Sequence, residues 1–317
     1  MQPDSPFRGK DDPLEMPARR AFPAIGLAPL KGAAAIKAAS FATPQRADII
    51  SASPPTCARS PPMSHILTEQ QGHVLHIRFN RMERKNAITR DMYQALADAL
   101  RGAEADASVR VLLLQGDPAC FTAGNDLRDF ADNPPRSADS PVFQFLRAIS
   151  AAGKPIVAAV GGPAVGIGTT MLLHCDLVFA APNARFHLPF VNLALCPEAA
   201  SSYLLPLVAG YKRAAELLML GEPFGAEQAQ AAGIINAVVP EAQLFAHAEA
   251  AAAKLAAKPP GSLRLTKQLM KAPHARAVEL AMSTESGHFG TLLASPEAKE
   301  AFTAFFEKRA ADFSKFS

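Results

Sequence analysis

The chain of 317 residues has no tryptophan, three tyrosines and four cysteines. Cys57, Cys120, Cys175 and Cys196 stand too far apart to act as CxxC metal pairs, and no HExxH occurs. His73 and His76, three apart in a strand-like run, point to opposite sides, so no metal site is expected. A disulfide-stapled scaffold does not suit a chain this long, and reduced cysteines in a cytosol-like compartment are expected. No apolar run reaches the roughly 20 residues of a membrane-spanning helix. The richest stretch, Met171 to Ala181, is broken by His174 and Asp176. A mean hydropathy of +0.07, with 49% hydrophobic and 19% charged residues, excludes collagen-like and wholly disordered chains. The length is sufficient for a well-buried core.

Strong charge of either sign is also lacking. Residues 1–62 hold eight Lys/Arg and five Asp/Glu, so the net +3 resides there, and the remaining 24 bases and 24 acids cancel. A neutral body lacks the electrostatic footprint of non-specific nucleic-acid binding.

Eleven of the 27 prolines also fall in residues 1–62, mixed with Ala, Ser and Arg without a period. That composition is expected to form a disordered N-terminal extension, unless translation begins at Met63. Asp4, Asp11, Asp12 and Glu15 fit a transit peptide poorly, and the basic start and apolar stretch of a secretory signal are missing. From residue 63 to 240 the pattern is that of an α/β core. Leu75, Ile77 and Phe79 alternate on one face of a strand, and Thr89 can cap a helix carrying Met92, Leu96, Ala99 and Leu100 on one side. Val111 to Leu114, Pro155 to Val160 and Leu177 to Ala180 read as buried strands, with a helical turn or two over Thr169 to Cys175. Residues 241–317 read as helical: Leu244 to Ala257, Leu263 to Lys271, and a helix opened by Ser295-Pro296-Glu297. That last helix places Phe302, Phe305 and Phe306 on one apolar side, expected to serve as core or subunit contact.

Two glycine turns are candidates for chemistry. Gly161 to Gly168 lies between a strand and a helix, where Gly permits positive φ and lets amide N–H groups face an anionic oxygen. It matches neither the GxGxxG register nor a P-loop. Phe121 to Leu127 follows the Val111 strand and again presents backbone donors. If the two converge they form an oxyanion hole; otherwise both are structural turns.

These turns belong to a longer series. Asn80 to Ile88, Ala123-Gly124-Asn125-Asp126-Leu127, Lys154 to Val160, Gly166-Ile167-Gly168 through Cys175-Asp176, Pro189-Phe190-Val191 and Ala304 to Arg309 stand in the order and spacing of the crotonase (enoyl-CoA hydratase/isomerase) superfamily, which the chain resembles over about residues 65–313. The resemblance implies a spiral of ββα units with a helical C-terminal region, an assembly of trimers or hexamers, and an acyl-CoA thioester substrate with no further cofactor. It implies that the N–H groups of Asn125 and Ile167 stabilise an enolate-like oxyanion. It also implies that Lys85, Asn86, Ala87, Ile88, Ala123, Gly124, Asp126, Leu127, Arg128, Gly166, Phe190, Phe305 and Lys308 contact substrate or CoA. Lys85 to Ile88 would meet the nucleotide end, Arg128 and Lys308 the phosphates, and Phe305 the CoA groove.

The departure from the family's hydratases is informative. Their two water-activating glutamates correspond here to Thr170 and Phe190, neither of which can act as a carboxylate base. A carboxylate appears instead at Glu198, in Pro197-Glu198-Ala199-Ala200-Ser201-Ser202, similar to the Pro-Glu-Gly-x-Ser-Ser run of peroxisomal-type Δ3,Δ2-enoyl-CoA isomerases. The same group shares Ala-Gly-Asn-Asp-Leu, Gly-Pro-Ala-Val-Gly-Ile and His-x-Pro-Phe, matched at 123–127, 162–167 and 187–190. In those enzymes one glutamate moves a proton from the α to the γ carbon of a 3-enoyl-CoA. Burial would raise such a carboxyl toward a useful pKa. The plainer role for Glu198 is an acid at a helix start after Pro197. Asp176 is read as structural, His187 as a satisfied histidine, and Ser201 and Ser202 lack triad partners.

The expectation is therefore an enoyl-CoA isomerase of lipid metabolism. The rivals are an enoyl-CoA hydratase and a non-catalytic acyl-CoA-binding protein. The C-terminal Phe313 to Ser317 is not the Ser-Lys-Leu peroxisomal address, so a cytoplasmic location is expected.

Overall fold

The alternating and continuous apolar runs pair into two sheets. A computed structural model describes residues 64–135, 137 and 139–316; the expectations for residues 1–62 and Met63 lie outside them. The strands are β1 (Ile66–Gln71), β2 (Val74–Phe79), β3 (Val111–Gln115), β4 (Ile156–Val160), β5 (Pro163–Val165), β6 (Leu177–Ala180), β7 (Arg185–His187), β8 (Phe224–Gly225) and β9 (Ala237–Val238). The larger sheet runs β1-β2-β3-β4-β6-β9, antiparallel only at β1-β2. The smaller sheet runs β5-β7-β8. Successive passes of the chain place a strand in each sheet and then a helix, as β4-β5 and β6-β7 show. This is the crotonase-like spiral of ββα units that the resemblance implied.

The helices are α1 (Arg90–Ala105), α2 (Leu127–Asp132), α3 (Pro141–Ala151), α4 (Ile167–Thr170), α5 (Ser201–Ala209), α6 (Tyr211–Ala215), α7 (Ala226–Ala231), α8 (Leu244–Ala256), α9 (Pro260–Lys271), α10 (Ala275–Leu293) and α11 (Pro296–Glu307). Thr89 caps α1 as expected, accepting from the Met92 N–H at 3.3 Å, and Met92, Leu96 and Leu100 are buried. Side-chain alternation divides the core in two. Leu112, Leu114, Ile156 and Ala158 pack with α1 and α3, while Val111, Leu113, Val157 and Ala159 face α8. On α8, Ala248, Ala252 and Ala256 repeat at helical spacing and are buried against the sheet.

Three expectations are made more definite. The helix expected from Leu263 starts at Pro260, since a proline at the first helical turn costs no hydrogen bond. The helical turns expected over Thr169 to Cys175 are the end of the single α turn Ile167–Thr170 and a 3-10 turn over Met171–His174. On α11 the buried face is Ala298, Ala301 and Ala304; Phe302 is half-buried, but Phe305 is 57% and Phe306 43% exposed. The small residues let α11 approach its neighbours closely, and the phenylalanines stand along its margin. Among the described residues no helix is long and apolar enough to cross a membrane.

Candidate active site

The two glycine turns converge. Thr122 N–H donates to the Pro163 carbonyl at 3.0 Å and Val165 N–H to the Thr122 carbonyl at 3.0 Å, so the 121–127 turn lies against β5. Gly124 has φ +85°, and a Cβ there would stand 2.6 Å from the Val165 carbonyl oxygen. Only glycine permits that approach. Gly166, with φ +55°, then turns the chain into α4. On the other flank, Ile88 N–H donates to the Gly124 carbonyl at 2.8 Å and Asp126 N–H to the Ile88 carbonyl at 2.9 Å. This bridging leaves the Asn125 N–H directed away from the 85–88 loop. Ile167 is the first residue of α4, where an amide has no partner inside the helix. Among the described residues, neither the Asn125 nor the Ile167 N–H donates to a protein acceptor.

The loop from Lys85 to Ile88 is fixed from below. Asn86, fully buried at φ +54°, donates from Nδ2 to the Cys120 and Phe121 carbonyls at 3.0 and 3.2 Å. Its Oδ1 accepts from the Arg81 N–H at 2.8 Å. Ala123 N–H donates to the Lys85 carbonyl at 2.9 Å. Asp126 caps α2 and pairs with Arg81 at 2.7 Å. Burial alone would raise its carboxyl, but the guanidinium and the cap amides outweigh that and hold it below its ordinary value. The side chains of Asn86 and Asp126 are thus spent on the scaffold, leaving their loops' backbone toward the site. Arg128 is exposed and lies over the Phe306 ring, 5.8 Å from its centroid. Lys85, Phe305 and Lys308 are exposed, whereas Phe190 is buried. Leu127 and Ala87 are half-buried at the turn's edge.

Glu198 is 8% exposed and lines a cavity of about 620 Å³ whose walls include Phe130, Val142, Phe143, Leu146, Phe289 and Phe302. Its Oε1 has no hydrogen-bond partner. Burial first, and the Glu285 carboxylate second, push its carboxyl up to about 8. The plainer role, an acid serving a helix start, does not fit: α5 begins only at Ser201, and the carboxylate that accepts from the Ala200 and Ser202 amides there is that of Glu285. The turn between them carries Ala199 and Ala200 at φ +60° and +57°, two successive left-handed alanines. It is held by Ser201 Oγ and N–H on the Glu198 carbonyl, at 2.6 and 3.0 Å, and by His174 Nε2 on the Ala199 carbonyl at 2.8 Å. Burial first lowers that imidazole to about 4, so it is neutral at physiological pH.

Thr170 and Phe190, the positions that the resemblance aligns with the hydratases' glutamates, are both buried. Thr170 Oγ1 has no partner, and Phe190 packs in the core. Asp176 accepts from Ile156 N–H and Lys267 Nζ, each at 2.7 Å, a structural role as expected. His187 Nε2 reaches the Gly221 carbonyl at 2.8 Å and is satisfied.

Two residues escaped the sequence reading. Tyr93, buried on α1, donates its hydroxyl to Asn125 Oδ1. Burial and then the Glu198 charge raise its phenol well above the usual value. It is one of only three tyrosines, and a buried tyrosine calls for a polar partner, but nothing in the sequence names that partner. The other is Glu285 on α10, buried at 6% exposure. Its one outward signal is an acid set among the small residues Ser283, Thr284, Ser286 and Gly287.

Known proteins provide an independent view. The family model described as enoyl-CoA hydratase/isomerase matches residues 69–315. The 2,3-dehydroadipyl-CoA hydratase of Escherichia coli is 32% identical over 252 residues, 79% of this chain and 99% of the relative. Enoyl-CoA delta isomerase 2 of Rattus norvegicus is 36% identical over 212 residues, 65% of this chain and 54% of the relative. The chain thus spans about half that isomerase's length. The crystal structure of an enoyl-CoA hydratase/isomerase from Pseudoalteromonas atlantica superposes with a TM-score of 0.76 at 42% identity, covering 79% of this chain and all of that one.

Proposed function

Because this chain belongs to the enoyl-CoA hydratase/isomerase family, a group of crotonase-fold acyl-CoA enzymes, we propose that it isomerises 3-enoyl-CoA to 2-enoyl-CoA with Glu198 as the proton carrier. The observation that carries this reading is the buried Glu198 carboxylate, with one oxygen unbonded and lining a largely apolar cavity; Thr170 and Phe190, which the resemblance aligns with the hydratases' two acids, support it because neither can act as a carboxylate base. Hydration requires one group to activate water and another to return a proton. Moving a double bond requires only one group that takes a proton and gives the same proton back.

In this reading the thioester oxygen sits on the Asn125 and Ile167 N–H groups. Ionised Glu198 removes a proton from C2, and the electron pair moves into a dienolate whose oxygen those two donors hold. The protonated Glu198 then delivers the proton to C4, leaving the double bond between C2 and C3. One such donor is worth about 3 kcal/mol of transition-state stabilisation. The apolar walls keep water from exchanging with the carried proton. The exposed Arg128 and Lys308 are assigned to the CoA phosphates, Lys85 with its loop to the nucleotide end, and Phe305 to the CoA groove. No other cofactor enters the scheme.

The test sets isomerisation of a 3-enoyl-CoA beside hydration of a 2-enoyl-CoA, in wild type and Glu198→Gln. Isomerisation that falls at least 10²-fold in the variant, with acyl-CoA affinity kept, supports the assignment. Brisk hydration with no isomerisation makes the chain a hydratase, and no turnover of either kind makes it an acyl-CoA-binding protein.

A further inference from the structure

The carboxylate of Glu285 has both oxygens engaged on Ala200 and Ser202, two of the three residues that follow Glu198 and Ala199. Oε2 accepts from the Ala200 N–H at 2.7 Å; Oε1 accepts from the Ser202 N–H at 2.9 Å and from Ser202 Oγ at 2.5 Å. These are the donors at the opening of α5, so an acid from the C-terminal helical region caps a helix far from it in sequence. The segment being held is strained, with Ala199 and Ala200 both left-handed. Such a turn persists only when its surroundings determine it, and Glu285 supplies three of those constraints. Glu285 and Glu198 also line the same cavity.

We infer that Glu285 is a positioning residue for the Glu198 base, clamping the strained turn that carries it and facing it with a like charge across the cavity. This rests on the assignment of Glu198 as the base. Three donors favour the ionised form of Glu285, although burial, the largest influence, keeps its carboxyl above the ordinary value. The resulting charge opposes ionisation of Glu198 and so strengthens it as a base. The other groups around the turn do not supply this effect. His174 is neutral, Cys196 and Tyr93 are protonated thiol and phenol raised first by burial, and Lys299, on the cavity wall, would act in the opposite sense.

Glu285→Gln removes the charge while keeping the shape. The acid limb of the isomerisation kcat/KM profile is expected to move to lower pH, by about half a unit or more, and kcat is expected to fall at least tenfold as the turn loosens. Glu285→Asp keeps the charge but shortens the reach; its acid limb stays within a few tenths of a unit of wild type while kcat falls. Ser202→Ala, the mildest change, withdraws one donor that favours the charge, so its limb moves the same way by less. It decides the matter if the glutamine chain fails to fold. An acid limb that stays in place in folded Glu285→Gln, or in Ser202→Ala where that chain does not fold, overturns the inference and leaves Glu285 as a helix cap alone. Glu198→Gln runs in parallel. If it abolishes turnover while the limb of Glu285→Gln stays put, only the role of Glu285 fails. If Glu198→Gln turns over like wild type, the base assignment itself fails.

Discussion

Replacing Glu198 by Gln should change how stability depends on pH, apart from its effect on turnover. In the fold the Glu198 carboxyl is pushed up to about 8 by burial and by Glu285; in the unfolded chain a glutamate titrates near ~4.3. Between these values the folded chain keeps a proton that the unfolded chain has released. Stability is therefore fully present below the lower value, falls as pH rises through the window, and levels off above the upper one. One pH unit is worth about 1.4 kcal/mol, which accumulates to about 4–5 kcal/mol by pH 8. Glutamine has no proton to release and abolishes this slope. It adds only a pH-independent cost for amide atoms that its site leaves unbonded. Urea denaturation at half-unit steps from pH 5 to 8 should show the variant gaining on wild type by about 1.4 kcal/mol per unit. Parallel curves over that range would refute the picture of a buried carboxyl protonated in the fold. The same titration should govern catalysis: wild-type kcat/KM rises about tenfold per unit until pH approaches 8, because only ionised Glu198 accepts the substrate proton.

Two further outcomes follow from the backbone. Gly124→Ala drives a methyl against the Val165 carbonyl, 2.6 Å away, in a left-handed turn. It should separate the Asn125 and Ile167 donors and cut kcat by about 10² or more in steady-state assays, and an unchanged kcat in the folded variant would remove those amides from the chemistry. Ala199→Gly relieves a left-handed alanine at φ +60° and should raise stability by about 0.5–1 kcal/mol in denaturant titrations, the strain relieved exceeding the entropy glycine adds to the unfolded chain. A loss of stability would show that the turn is not strained.

Local features of the fold were legible because they follow from local rules. The buried strand at Val111 to Leu114, the Thr89 cap and the Ser295-Pro296 helix start depend on residues within a turn or two of each other. The aromatic side of α11 shows the limit of such rules. A helical pattern tells which residues share a side, but alanines at 298, 301 and 304 can be the buried side when the neighbours come close. The glycine turns were visible as candidates; whether they meet was not. Their meeting depends on the bonds between Thr122 and β5, formed across some forty residues.

By itself the sequence showed the apolar runs of an α/β core, the ordered motifs that mark the family, and which residues stand at 170, 190 and 198. Each of these is a matter of residue identity at a spacing. Only the tertiary structure decided that Glu198 is buried with one oxygen free, that the carboxylate holding the Ala200 and Ser202 amides is that of Glu285 and not that of Glu198, and that Tyr93 holds the Asn125 side chain. Burial, electrostatic coupling and hydrogen bonding depend on distance in space. Residues 198 and 285 become neighbours only when α10 packs beside α5, and a linear pattern carries no record of that distance.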